Sequence, residues 1–169
     1  KRNDLCFDES LLSNLYTFPM DWFSISQKKT FIPTANVLSK ISKHKLDWDA
    51  ISKNSNLKNE ILWPYKDKLN WSIISGLELF INQGISFLSK YDKYLDWTII
   101  SKSPLFQPTI ENLKLFKDYV NWECINSRKD LCLTNEFVSE FESYLNWDKV
   151  SASMSLTYSI AFVSKFRDR

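Results

Sequence analysis

The chain has 169 residues, of which 44% are hydrophobic and 15% aromatic, enough for a substantial core and unlike the composition of a disordered chain. Its 22 basic and 20 acidic residues leave a net charge of +2, far from the basic excess of a dedicated nucleic-acid binder. Only 2 glycines and 5 prolines occur, which disfavours a turn-rich sandwich or barrel and favours helices.

The first predicted element is a helix within the stretch FDESLLSNLYTF, residues 7–18. Apolar residues recur there at helical spacing, namely Leu11, Leu12, Leu15 and Phe18. We interpret this helix as the second half of a partial repeat that covers residues 1–19.

Six copies of one phrase follow, with the sequences MDWFSIS, LDWDAIS, LNWSIIS, LDWTIIS, VNWECIN and LNWDKVS. Their tryptophans lie at spacings of 26, 23, 26, 25 and 25 residues and are Trp22, Trp48, Trp71, Trp97, Trp122 and Trp147. This regular period indicates a repeat architecture, with repeats that start near residues 20, 46, 69, 95, 120 and 145.

Each phrase has the residues that begin a helix. Asp or Asn, both favoured N-cap residues, precedes every tryptophan. An apolar residue stands before the cap and Ile or Val stands four positions after it, which is the spacing of a hydrophobic staple. The serine that follows the Ile or Val in five phrases is predicted to allow close helix approach or to bond to a carbonyl one turn earlier.

A second helix is predicted in the rest of each period. The position nine residues after each tryptophan is apolar, and further apolar residues recur beyond it at helical spacing. Pro33 and Pro108 are candidates for the first residue of this helix. Each repeat is therefore predicted to contain a helix of about two turns, a short loop and a helix of about three turns.

The predicted fold is all-α: an α-solenoid, a right-handed superhelix of about six short helix-turn-helix repeats. We expect it to form a single domain over residues 1–169.

The phrase [LV]-[DN]-W-x-x-[IV]-[SN], with its period near 25, resembles the tandem tryptophan repeats of bacterial and large-virus proteins. The resemblance extends from Met20 to the end of the chain. It implies a helical-hairpin architecture with a binding or scaffolding role and brings no catalytic residues. The pattern is also broadly similar to tetratricopeptide and pentatricopeptide repeats, but its period is shorter and their signature residues are absent.

The six phrase tryptophans are predicted core residues, because each lies beside a staple and shares a helix face with Ile or Val. The alternative is that they are displayed at a fixed spacing to stack on bases or on a repetitive ligand.

Trp63 lies outside the phrase, and two alignments of it stay open. Counted back from Trp71 it takes a solvent-facing position, whereas counted forward from Trp48 it takes a buried one. An exposed Trp63 beside Tyr65 would anchor a partner, since aromatic residues are enriched at interaction hot spots. Phe23 is a similar candidate because it occupies a position that is polar in the other phrases, although the N-terminal helix could cover it.

Basic residues follow the first helix in several repeats. Equivalent loops of a solenoid lie along one edge, so these residues predict an interrupted basic row that meets an acidic partner or a phosphate backbone. The alternative is a solvated edge whose cations offset the helix macrodipoles. The row consists of Lys28, Lys29, Lys53, Lys102, Arg128 and Lys129.

The sequence contains no catalytic signature. There is no Gly-rich phosphate loop, nucleophile elbow or paired-histidine motif, and the single histidine, His44, is expected at the surface near a helix end. The three cysteines, Cys6, Cys124 and Cys132, lack metal-ligand spacing and are expected as isolated buried thiols. We therefore expect no enzyme activity, no metal and no cofactor.

The preferred function is a non-catalytic interaction or scaffold module that binds a protein or peptide along one face of the superhelix. Trp63, Tyr65 and Phe23 would be its anchors, and the basic row would supply polar contacts. One alternative is binding of RNA or single-stranded DNA along the basic row. Another is that the chain is the repeat region of a larger enzyme, because it begins at Lys1 without methionine and stops where another phrase is due.

Two further expectations concern location and assembly. No apolar run approaches the roughly 20 residues that span a bilayer, and no secretory signal opens the chain, so we expect a cytoplasmic protein without membrane contact. Unfinished repeat ends can stack on one another, which would allow self-association.

Overall fold

The computed structural model describes residue 7 and residues 9–167, without the side chains of residues 13 and 14. Within these residues every regular element is a helix, and a single isolated bridge pairs Phe7 with Phe31. The predicted all-α repeat class is therefore confirmed. The helices are α1 (Glu9–Leu15), α2 (Trp22–Ser26), α3 (Ala35–Ile41), α4 (Trp48–Ser52), α5 (Asn59–Leu62), α6 (Trp71–Ser75), α7 (Glu78–Ile81), α8 (Ile85–Tyr91), α9 (Trp97–Lys102), α10 (Ile110–Phe116), α11 (Trp122–Ser127), α12 (Asn135–Phe141), α13 (Trp147–Ser151) and α14 (Ile160–Phe166).

The chain forms two compact units, each with its own core. The first unit comprises Lys1–Leu77 and Lys93–Leu95, and the second comprises Glu78–Asp92 and Asp96–Arg169. The first core includes Leu38, Ile51, Leu57, Ile61, Leu62 and Ile74, and the second includes Phe80, Tyr91, Ile100, Leu113, Ile125, Val138 and Phe141, all of them buried. None of the helices described over residues 9–167 is long and apolar enough to cross a membrane.

All six phrases begin a helix as predicted. The Asp or Asn before each tryptophan is the N-cap, and its side chain accepts a hydrogen bond from a backbone N–H of the first turn. Asp47 Oδ1, for example, accepts from the Ala50 N–H at 2.9 Å. The Ile or Val of every staple is buried, and so is the apolar residue before the cap in every phrase except the first, where Met20 is half-buried.

The second helices begin later and end sooner than predicted. Thr34 and Thr109 are the N-caps of α3 and α10, so Pro33 and Pro108 precede the cap and are not the first helical residues. The threonine hydroxyl accepts the exposed N–H of the first turn, which sets the helix start. These helices have seven residues, about two turns where three were predicted, because the cap of the next phrase follows within a few residues.

The phrase serines connect one repeat to the next. The Ser52 hydroxyl donates to the Trp48 carbonyl at 2.7 Å, which confirms the predicted bond to the preceding turn. It also accepts from the backbone N–H of Asn70, the cap of the following repeat, at 2.9 Å. Equivalent bonds run from the Asp47 N–H to Ser26 and from the Asn121 N–H to Ser101. A buried hydroxyl thus satisfies a cap N–H that has no partner within its own helix.

The Asp47 cap predicts a dependence of stability on pH. Hydrogen bonds from the Ala50 N–H and then from the Gln27 amide hold the pKa of the Asp47 carboxyl below its usual value. A carboxylate with a lowered folded pKa stabilises the protein above the unfolded pKa of about 3.9, and this contribution is lost as the pH falls through the folded value.

We expect Asp47→Ala to lower the free energy of unfolding by about 1 kcal/mol at neutral pH, since it removes the cap. Asp47→Asn is the control, because asparagine caps the equivalent helices α6, α11 and α13 and does not titrate. Urea unfolding at pH 7 and pH 3 should show that Asp47→Asn keeps most of the neutral stability and loses less of it in acid than the wild type does. If Asp47→Asn loses as much stability between pH 7 and pH 3 as the wild type does, the Asp47 carboxylate does not contribute to the pH dependence of stability.

Candidate functional site

The six phrase tryptophans differ in burial. Trp22 and Trp97 are 3% and 7% exposed and are core residues as predicted. The other four, Trp48, Trp71, Trp122 and Trp147, are half-buried, so the core prediction is only partly right for them. A hydrogen bond recurs in Trp71, Trp122 and Trp147 and also in the buried Trp97: the indole N–H of Trp71, for example, donates to the Lys66 carbonyl five residues earlier at 2.7 Å. This bond holds the ring at the end of the preceding segment.

Four of the six rings pack on a tyrosine close to the next phrase, and these pairs are stacked for Trp71 and Trp122 and tilted for Trp48 and Trp97. Trp48 pairs with Tyr65, Trp71 with Tyr94, Trp97 with Tyr119 and Trp122 with Tyr144, with ring centroids 5.4, 5.2, 5.5 and 4.6 Å apart. The phrase does not itself predict these partners. However, Tyr94, Tyr119 and Tyr144 all lie three residues before a tryptophan, a regular position that would identify them from the sequence.

Trp63 is 51% exposed, which confirms the solvent-facing alignment. It follows α5 directly, and Pro64 comes after it. Ile61 and Leu62 are fully buried. The side chain of Trp63 lies about 100° further round the helix axis than that of Leu62 and is directed away from the core. Proline at the following position lacks the N–H that would extend the helix.

Trp63 belongs to a group of rings and one cation in the first unit, which we call the Trp63 cluster: Trp63, Lys66, Trp71 and Tyr94. The Lys66 ammonium lies 4.6 Å from the Trp63 ring centroid and 5.5 Å from that of Tyr94. Tyr94 presents its edge to Trp63 at 6.5 Å and stacks on Trp71. A hydrogen bond with the Tyr94 hydroxyl holds the pKa of Lys66 above its ordinary value, which favours the charged ammonium. These contacts hold the exposed indole in a fixed place.

The other two predicted anchors lie in different surroundings. Tyr65 is half-buried, and its ring packs against Trp48 in a tilted pair. The Lys68 ammonium lies 5.3 Å from the centroid of the Trp48 ring. Tyr65 therefore belongs to a phrase pair and is not part of the Trp63 cluster. Phe23 is 37% exposed and has the Lys45 ammonium 5.2 Å from its ring centroid.

The predicted basic row is divided between two clefts, one in each unit. The first cleft has a volume of about 460 Å³ and contains Lys28, Lys29 and Lys53 in its lining, with Ser26, Gln27, Ala50, Asn54 and Ser55. The second has a volume of about 480 Å³ and contains Lys102, Arg128 and Lys129, with Pro104, Cys124, Ser127 and Asp130. We refer to them as the first cleft and the second cleft.

Arg128 makes its hydrogen bonds within the chain. Its guanidinium donates to both carboxylate oxygens of Asp130, at 2.9 and 2.6 Å, and to the carbonyls of Ser101 and Ser103, at 3.1 and 2.7 Å. Its side chain is only 6% exposed. Arg128 thus holds the end of α9 to the loop after α11, and its contact with a partner stays a prediction. The guanidinium also holds the pKa of Asp130 below its usual value.

The histidine and the cysteines also need correction. His44 is half-buried and stacks on Trp22 with ring centroids 5.9 Å apart, so it is not simply a surface residue. Cys124 is buried as expected, Cys132 is exposed, and Cys6 lies outside the described residues. Over the described part of the chain, no group of three or more His, Cys, Asp or Glu residues is placed to hold a metal ion.

Comparisons with family models, with curated proteins and with solved structures gave no significant match to the chain.

Proposed function

We propose that this protein is a non-catalytic interaction module that binds a peptide segment of a partner protein at the Trp63 cluster. The observation that supports this most is the half-exposed indole of Trp63, which lies outside the repeated phrase and is held by Lys66 and Tyr94.

The energetics of binding favour such an anchor. Tryptophan has few rotatable bonds, so an indole already held in place loses little conformational entropy when a partner covers it. Its large apolar face supplies most of the contact area, and the neighbouring Tyr94 extends that surface. The phrase tryptophans are less suited to this role, because much of their surface is already used within the repeats.

The charges around the cluster indicate what the peptide carries. The Lys66 ammonium lies over the Trp63 ring, and the Lys68 ammonium lies over the Trp48 ring. A peptide with an apolar side chain next to Asp or Glu would place the first on Trp63 and the second near a lysine. The preferred ligand is therefore a short acidic segment with an aromatic or aliphatic anchor residue.

A displayed random-peptide library selected on the wild-type protein tests this proposal. The enriched peptides should combine an apolar residue with Asp or Glu, and Trp63→Ala should weaken their binding tenfold or more, as expected for a hot-spot residue. Leu115→Ala is the matched control, since Leu115 is a similarly exposed apolar residue in the second unit. The proposal fails if no peptide is enriched, or if Trp63→Ala binds the enriched peptides as tightly as the control does.

A further inference from the structure

We propose that the first cleft is a binding site for a compact phosphate group, such as a phosphorylated side chain or an oligophosphate. This proposal is independent of peptide binding at the Trp63 cluster. It starts from the placement of Lys28, Lys29 and Lys53, which come from two successive repeats and line one cleft of about 460 Å³.

The three lysines have no anionic partner within the described residues. Among residue 7 and residues 9–167, no carboxylate lies within salt-bridge distance of these lysines or lines the first cleft. Asp47 interacts with Lys53 through space, but its carboxylate already accepts hydrogen bonds from the Ala50 N–H and the Gln27 amide. Within the part of the chain that the structure describes, the first cleft therefore collects positive charge that no salt bridge neutralises.

The helix ends at this cleft do not reverse its charge. α2 and α4 end beside it, and a helix C-terminus carries at most about half a negative charge. Two such ends sum to about one negative charge, and helices of five residues carry less than the full value. The three lysines therefore outweigh the two helix ends, and the lining of the cleft stays positive, which suits a phosphate dianion.

The rest of the lining favours a phosphate over a nucleic-acid strand. Ser55 and Gln27 add polar groups beside the lysines, and no aromatic residue is among the described residues that line the cleft. Proteins that hold single-stranded nucleic acid usually combine a basic groove with aromatic side chains on which the bases stack. A cleft with cations and without stacking surfaces is better suited to the phosphate alone.

The second cleft provides an internal comparison. It has a similar volume of about 480 Å³, but Arg128 is paired with Asp130 there and only Lys102 and Lys129 remain as unpaired cations in the lining. We expect it to bind phosphate more weakly than the first cleft.

Isothermal titration of the whole chain with tripolyphosphate at low salt tests the proposal. A second arm uses one peptide with and without phosphoserine, and a third uses mixed-sequence single-stranded RNA. The combined variant Lys28→Gln, Lys29→Gln and Lys53→Gln should weaken binding of tripolyphosphate or phosphopeptide by about tenfold for each lysine that donates to the phosphate. Lys102→Gln with Lys129→Gln in the second cleft is the matched control and should change the affinity less than twofold.

The two phosphate arms distinguish the sources of the group. Preference for the phosphopeptide over its unphosphorylated form indicates a modified protein partner, and preference for tripolyphosphate indicates a free oligophosphate. Circular dichroism checks that the combined variant is folded, and the single variant Lys53→Gln replaces it if it is not. The proposal is overturned if no phosphate probe binds, if the two clefts' variants lose affinity equally, or if RNA binds through the three lysines far more tightly than either phosphate probe.

Discussion

Replacing Trp97 with alanine is expected to lower the free energy of unfolding by about 3–5 kcal/mol. The ring is buried against Phe116 and Tyr119, with centroids 4.8 and 5.5 Å away, and Phe106 meets it edge-on at 6.3 Å. Its indole N–H donates to the Asp92 carbonyl at 2.8 Å. Alanine would leave a cavity among these aromatic side chains and a carbonyl without its donor.

Urea unfolding followed by circular dichroism measures this effect without relying on tryptophan fluorescence. Trp97→Phe is the intermediate case, because it keeps an aromatic ring in the core, removes the N–H donor and leaves a smaller cavity than alanine does, so its loss of stability should be smaller than that of Trp97→Ala. Leu115→Ala, at a position 58% exposed in the same unit, should stay within about 0.5 kcal/mol of the wild type. A similarly small change for Trp97→Ala would contradict its place in the core.

Ser52→Ala is expected to lower the free energy of unfolding by about 1–3 kcal/mol, although the substitution removes a single oxygen atom. Ser52 is fully buried, and its hydroxyl accepts the N–H of Asn70 at the start of the next repeat. Alanine would leave this N–H without an acceptor at the join between two repeats. Loss of the bond should also speed hydrogen exchange at the Asn70 amide.

The chain contains its own control for this prediction. Ser151 occupies the same position of the last phrase and is exposed, so Ser151→Ala should change the stability by less than about 0.5 kcal/mol. Denaturant unfolding of both variants gives the comparison. If Ser52→Ala and Ser151→Ala lower the free energy of unfolding equally, the hydrogen bond between repeats does not contribute to stability.

Local signals in the sequence predict much of this fold. A cap such as Asp47, an apolar residue before it and Ile51 after it all act within a few residues, so the phrase specifies where its helix begins. The boundaries of the second helices were harder to predict, because a proline and a threonine compete to define the start of α3 and α10. The threonine side chain determines it.

The candidate sites were only partly predictable. The exposure of Trp63 depends on how a shortened repeat is aligned, and the sequence permits two alignments until α5 is seen to end at Leu62. Arg128 looks like a surface cation in the sequence. Its bonds to Ser101 and Ser103 join residues 27 and 25 positions apart, which only the packing of successive repeats brings together.

The central claim is that the repeated phrase forms the helices and their core, whereas Trp63, which lies outside the phrase, exposes its indole to solvent. Fluorine NMR of the protein labelled with 5-fluorotryptophan at its seven tryptophans tests this most directly, with a soluble paramagnetic agent to report exposure. We predict the strongest relaxation enhancement at Trp63, intermediate values at Trp48, Trp71, Trp122 and Trp147, and the weakest at Trp22 and Trp97. A Trp63 signal as protected as that of Trp97 would contradict the account.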